Sequence, residues 1–200
     1  MQTLINSWSS LVEVTCGAIS VDKSWFYLIE YVWARGKWIA QDANTGIDLV
    51  ATNTNGTDIS LKRILASEPS EMLDVWFTPN GDNTKLITEL KLAAMQWGAK
   101  IRLGNPSPAE VWHAFTCTIS PKLEYPLPAS TLSQKECQSI LFPAIKAALS
   151  KSKLCSMMPA AVRDCPQEYG GLGVSSQYHY QGTSRVAILT EQIYKNQPQA

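Results

Sequence analysis

His113 and Cys117 stand four residues apart in the stretch VWHAFTC, a spacing that puts two side chains on one face of a helix. A thiol beside an imidazole could form a nucleophile–base pair if a third group oriented the base. As metal ligands the two lack a companion at useful spacing. The neighbouring residues are apolar, which favours a histidine packed beside a buried cysteine. His179 is the only other histidine, and no G-x-S-x-G nucleophile turn is present. Gly170-Gly171-Leu172-Gly173 fits neither G-x-G-x-x-G nor a G-K-[ST] phosphate loop, so it reads as a turn packing two elements. Two-metal phosphoryl transfer needs carboxylates that hold ions about 4 Å apart. The chain has no Asp-Asp pair, and its 17 acids are scattered singly. Five cysteines without a C-x-x-C pair suggest neither a disulfide framework nor a four-ligand zinc site.

The bulk properties narrow the classes further. Two hundred residues at 45% hydrophobic content can build one sizeable core or two small subdomains. Low charge and seven tryptophans argue against disorder. No stretch approaches the roughly 18 apolar residues of a membrane span, and MQTLINSWSS lacks the basic and apolar regions of a signal peptide. These features point to an intracellular protein of nucleus or cytoplasm, with no membrane partner. In that setting the sequon Asn55-Gly56-Thr57 carries little meaning. The net charge is zero but unevenly spread: −5 over 1–84, +6 over 85–163 and −1 over 164–200. A basic middle segment suits contact with phosphates; solvated helix faces are the bland alternative.

The elements that must position these groups change period along the chain. Residues 2–14 read as a short helix, with Leu4, Trp8 and Leu11 on one face, stopped at Cys16-Gly17. SWFYLIEYVW, residues 24–33, has strand composition, and Arg35-Gly36 can turn the chain into a partner over 37–40. Short strands are expected at 47–51, 58–61 and 72–77, between turn clusters at 44–46, 53–56 and 79–81. A helical stripe of Leu86, Leu90, Ala93, Trp97 and Ile101 then predicts a helix over 83–103. Ser107 with Glu110, and Ser133 with Glu136, are capping boxes that open helices to about 119 and 150. Pro143 suggests a kink or break in the second. Residues 160–174 read as a loop, 177–194 as a last helix, and 196–200 as a fraying tail. Strands first and helices after is the order of an α+β fold.

Residues 6–38, NSWSSLVEVTCGAISVDKSWFYLIEYVWARGKW, resemble retrotransposon reverse transcriptases of the non-LTR, LINE-like kind, in the stretch after the catalytic Asp-Asp hairpin. Residues 70–81, SEMLDVWFTPNG, are similar to the hairpin that grips the primer strand. Residues 120–142 and 159–173 look like thumb and post-thumb segments. The resemblance spans most of the chain and rests on the order and spacing of loose motifs. It implies a small antiparallel β palm remnant with a primer-grip-like hairpin over 1–81, then a helical thumb-like bundle over 82–200. It also implies a parent that copies RNA into DNA with Mg, which this chain, lacking the Asp pair, would not hold. The missing upstream palm and fingers would then be partners, with an RNA/DNA primer–template.

Residue by residue, Lys23 falls where the family carries a lysine held to assist departure of pyrophosphate; a solvated turn lysine is the plain alternative. Leu73-Asp74-Val75 stands where the grip motif reads Leu-Gly-aliphatic, and the Asp74 carboxylate would repel phosphate. Cys16 likewise replaces a glycine. Duplex binding would fall to the cations of the middle segment: Lys85, Lys91, Lys100, Arg102, Lys122, Lys135, Lys146, Lys151 and Lys153. Trp25, Tyr27 and Tyr31 alternate and could stack on bases, although packing is the commoner fate of such rings. Trp97 belongs to a core stripe. Two other classes stay open: a protein-interaction domain, and a small Cys–His enzyme.

Overall fold

The computed structural model describes residues 2–7, 24–43, 46, 48–52 and 57–195. The chain is α+β, with small two-stranded ladders first and several helices after. It divides into two compact units, 1–70 with 78–82, and 71–77 with 83–200.

In the first unit residues 2–7 form a helix, α1; the rest of the predicted helix, and the stop at Cys16-Gly17, lie outside the described residues. The stretch 24–33 is not one strand. It forms β1 (Trp25–Phe26) and β2 (Ile29–Ala34), because the chain turns inward at Leu28. Leu28 is buried and its carbonyl accepts the Ala43 N–H at 3.0 Å. β2 pairs antiparallel with β3 (Lys37–Asp42) across Arg35 (φ 52°) and Gly36 (φ 75°). Two successive left-handed residues are what a two-residue hairpin turn requires. β4 (Val50–Thr52) pairs antiparallel with β5 (Asp58–Ser60), while β1 pairs parallel with β6 (Lys62–Arg63). The turn residues 44–45 and 53–56 lie outside the described set. Among the described residues here, Leu28, Leu49, Ala51, Ile64 and Ala66 are the buried apolar ones.

The second unit begins with a hairpin, β7 (Ser70–Met72) and β8 (Val75–Phe77), turning at Leu73-Asp74. Four longer helical stretches follow. They are α2 (Thr84–Leu103), α3 (Pro108–Ala114) running through a π turn (Phe115–Ile119) into α4 (Ser120–Glu124), α5 (Gln134–Lys151) and α7 (Gln177–Lys195). Both predicted capping boxes close: Ser107 Oγ accepts from Glu110 N, Ser133 Oγ from Glu136 N, and each glutamate returns to its serine's N–H at 2.7 Å. α5 runs unbroken through Pro143. The segment 160–174 is more ordered than a loop, with α6 (Ala160–Asp164) and a 3-10 turn (Gln167–Tyr169). None of the described helices is long and apolar enough to cross a membrane.

The core of the second unit is built on α5, packed against α2 and against Val111, Phe115, Ile119 and Leu123 of the α3–α4 stretch. On α2 the buried stripe is Leu86, Leu90, Ala94 and Gly98; Trp97 and Ile101 pack at its margin. Small residues sit at the centre because the helices approach closely there. A Cβ on Gly98 would lie 3.1 Å from the Pro143 carbonyl oxygen and 3.3 Å from Ala147 Cβ. Asn83 Nδ2 donates to Thr131 Oγ1 at one end, and Lys151 Nζ to the Gly104 carbonyl at the other. The two helices therefore run parallel.

Candidate functional site

The parallel arrangement carries the cations. α2 ends in Lys100 and Arg102, and α5 ends in Lys151, with Lys153 two residues beyond. The bond from Lys151 Nζ to Gly104 O, 2.9 Å, holds the two C-terminal ends together. Residues 90–109 and 137–163 contain no acid at all. Cations at helix C-termini are in part explained by the helix dipole, worth about −0.5 charge per helix. Two helices supply about −1 against four cations, so the end stays positive by about three charges.

The other predicted contacts scatter. Lys85 sits in the first turn of α2, 2.7 Å from Glu89 Oε1 and 4.7 Å from the centre of the Trp76 ring. Lys91 lies close enough to Glu136 to help hold its carboxyl low. Lys146 lies over the Phe142 ring, and Lys122 and Lys135 are exposed on α4 and α5. Lys23 lies outside the described residues. The hairpin at 70–77 faces a cleft whose lining includes Glu71, Asp74 and Glu89 against Lys122, a poor surround for phosphate.

His113 and Cys117 do share a face, with Nδ1 and Sγ 3.7 Å apart. The expectation of burial is overturned: both side chains are exposed. Val111, Phe115 and Ile119 take the inner face at four-residue spacing, which turns 113 and 117 outward. The Thr116 hydroxyl also lies near the thiol, at 3.8 Å. A hydroxyl on the same exposed helix is no orienting group in a pocket. Cys137 is buried, and burial pushes its thiol up, towards the unreactive protonated form.

A cleft of about 1080 Å³ is lined by Cys137, Asp164, Cys165, Gln167, Gln177 and His179 among others. Asp164 is committed to Arg163 at 2.6 and 3.1 Å. The Gly170–Gly173 segment is a packing turn that meets the cleft at Gly173. A Cβ on Gly171 would lie 2.0 Å from the Cys165 carbonyl oxygen. Among the described residues no three His, Cys, Asp or Glu gather as a metal would need.

No family model, curated protein or solved structure matches this chain.

The sequence reading missed one feature. Trp33 and Trp38 face each other across β2 and β3, rings 5.2 Å apart, and both are exposed. The signal was present: two tryptophans five apart around Arg-Gly must pair once that dipeptide turns. Tyr31, expected to pack, is exposed beside them, while Trp25 and Tyr27 precede this ribbon, with their own rings 6.0 Å apart.

Proposed function

We propose that this chain is a nucleic-acid-binding part of a retroelement-type RNA-directed DNA polymerase, with no polymerase chemistry of its own. It binds primer–template duplex through phosphate contacts. The observation that carries this reading is the joining of the C-terminal ends of α2 and α5, which bear Lys100, Arg102, Lys151 and Lys153 and no acid of their own, by the Lys151–Gly104 bond. Basic side chains on rigid helix ends contact phosphates without reading bases, so binding is sequence-tolerant and strongly salt-dependent. The polymerase parentage rests on the resemblance of 6–38, 70–81, 120–142 and 159–173.

Fluorescence anisotropy with a labelled RNA/DNA hybrid, titrated from low to high salt, tests the binding. Affinity should fall steeply and linearly on a double-logarithmic plot. A flat salt response would sink the electrostatic reading. Sequencing full-length cDNA upstream of Met1 tests the parentage, which requires an in-frame Asp-Asp hairpin shortly before Gln2.

A second reading, a protein-interaction domain, draws on α7. Val186, Leu189 and Ile193 stand exposed on one of its faces, the pattern of a helix that docks in a groove.

A further inference from the structure

We propose that the tip of the β2–β3 hairpin binds single-stranded nucleic acid by stacking unpaired bases on Tyr31, Trp33 and Trp38. This goes beyond the duplex contact, uses different residues in the other unit, and stands independently of it.

The register decides which side chains share a face. Tyr31 opposes Ala40 and Trp33 opposes Trp38, so the three rings lie on one side of the ribbon, with Val32 and Ile39 on the other. Tyr31 is 62% exposed, Trp33 58% and Trp38 66%. Burying one such ring removes 150–250 Å² from water, a gain of about 4–6 kcal/mol at about 25 cal/mol/Å². The hairpin forgoes most of that gain three times within eight residues.

A structural role accounts for part of this. The Trp33–Trp38 pair, edge-on at 68°, steadies a ribbon that is marginal alone, by about 0.5–1.5 kcal/mol. That role requires neither Tyr31 nor the charges at the tip. Arg35 stands in the turn and Lys37 next to it, and residues 31–41 contain no acid. The acids at the far end are Glu30 and Asp42, and the Asp42 carboxylate accepts the Ala66 N–H at 2.6 Å.

The chemistry of the occupant follows. Three flat rings offer faces to other flat rings, and two adjacent cations offer charge to an anion. Alternate residues on a strand are about 7 Å apart, twice the 3.4 Å rise of stacked bases. Tyr31 and Trp33 can therefore each take one base of an unstacked strand while its phosphates run past the tip. A duplex hides its base faces and cannot use the rings.

The test uses the full chain and labelled 20-nucleotide single strands of mixed sequence, DNA and RNA, with a hybrid duplex as comparison. Tyr31→Ala leaves the tryptophan pair in place. The exciton signal of that pair in circular dichroism therefore reports whether the ribbon persists in Tyr31→Ala, whereas Trp38→Ala removes half of the pair and the signal with it, so its ribbon is followed by amide exchange in β2 and β3. Each substitution should weaken single-strand binding about tenfold or more and leave duplex binding unchanged; Lys37→Gln should lower the single-strand salt slope. Single-strand affinity unchanged by Tyr31→Ala, with the exciton signal intact, overturns the proposal. So does a concentration-dependent mass in light scattering that Tyr31→Ala abolishes, because the rings then serve a second copy. Loss of this effect with duplex binding preserved defeats this inference alone.

Discussion

Gln181 and Leu132 are joined as if the glutamine were a passing strand: its Oε1 accepts the Leu132 N–H and its Nε2 donates to the Leu132 carbonyl, both at 3.1 Å. The same oxygen accepts from the Ser130 hydroxyl at 3.2 Å. One turn earlier on α7, Gln177 is just as buried, at 2% against 4% exposed, yet its amide has no hydrogen-bond partner among the described residues. The two positions should respond with opposite sign. Gln181→Met strands a buried N–H and carbonyl and should cost about 1–3 kcal/mol. Gln177→Met removes an unsatisfied amide at nearly constant shape and should be neutral or stabilising by about 1 kcal/mol. Urea unfolding midpoints at constant slope would read both, and a large loss from Gln177→Met would contradict the argument.

The basic helix ends make a separable prediction. Converting Lys100, Arg102, Lys151 and Lys153 together to glutamine should lower the salt slope of duplex binding by up to about 4, near one per lost phosphate contact. Lys85→Gln should change it far less, since that ammonium is already held by Glu89 and the Trp76 ring. Equal effects from the two variants would mean that net charge, not the gathered end, governs binding.

Legibility in the sequence followed the range of the interaction. Capping boxes at Ser107 and Ser133 and the Arg35-Gly36 turn are written in two to four neighbouring residues, and the structure forms all three. The buried stripe of α2 was displaced by one position because hydropathy weights Trp97, whereas close approach of α5 selects Ala94 and Gly98. His113 and Cys117 were misplaced for a similar reason: an apolar stretch does not say which third of it faces inward. The gathering of Lys100, Arg102, Lys151 and Lys153 was beyond reach, because it depends on two helices some 47 residues apart running parallel.

Stability should depend on pH through the capping glutamates. The Ser107 backbone and side chain hold Glu110 below the ordinary carboxyl value of 4.5, and the Ser133 side chain and backbone do the same for Glu136. A carboxyl whose folded pKa is depressed stabilises the fold above its unfolded pKa, and that contribution drains as pH falls through the folded value. The melting temperature should hold above about pH 5 and decline below 4.5. Ser133→Ala should cost about 1 kcal/mol near neutrality and flatten the decline below the ordinary carboxyl value of 4.5. A variant curve parallel to the wild type throughout would show that the cap does not set these pKa values.

The β7–β8 turn places two residues with side chains where glycine and asparagine fit best. Leu73 and Asp74 both adopt left-handed backbone, at φ 51° and 61°, and turns of this kind prefer Asn-Gly. Leu73 is 80% exposed, so it gains little from burial while its γ-branched side chain bears the strain. Leu73→Asn should stabilise the hairpin by about 1 kcal/mol, read as slower amide exchange in β7 and β8. Asp74 tolerates the left-handed region better, and a glycine there gives back backbone entropy of about 0.5–1 kcal/mol. Asp74→Gly should therefore leave stability nearly unchanged while removing one carboxylate from the cleft shared with Glu71 and Glu89. If the hairpin grips a primer strand, as its resemblance implies, Asp74→Gly should raise duplex affinity several-fold at low salt, with the gain fading as salt rises. An affinity that stays put would remove this hairpin from the duplex contact and leave the gathered helix ends to carry it.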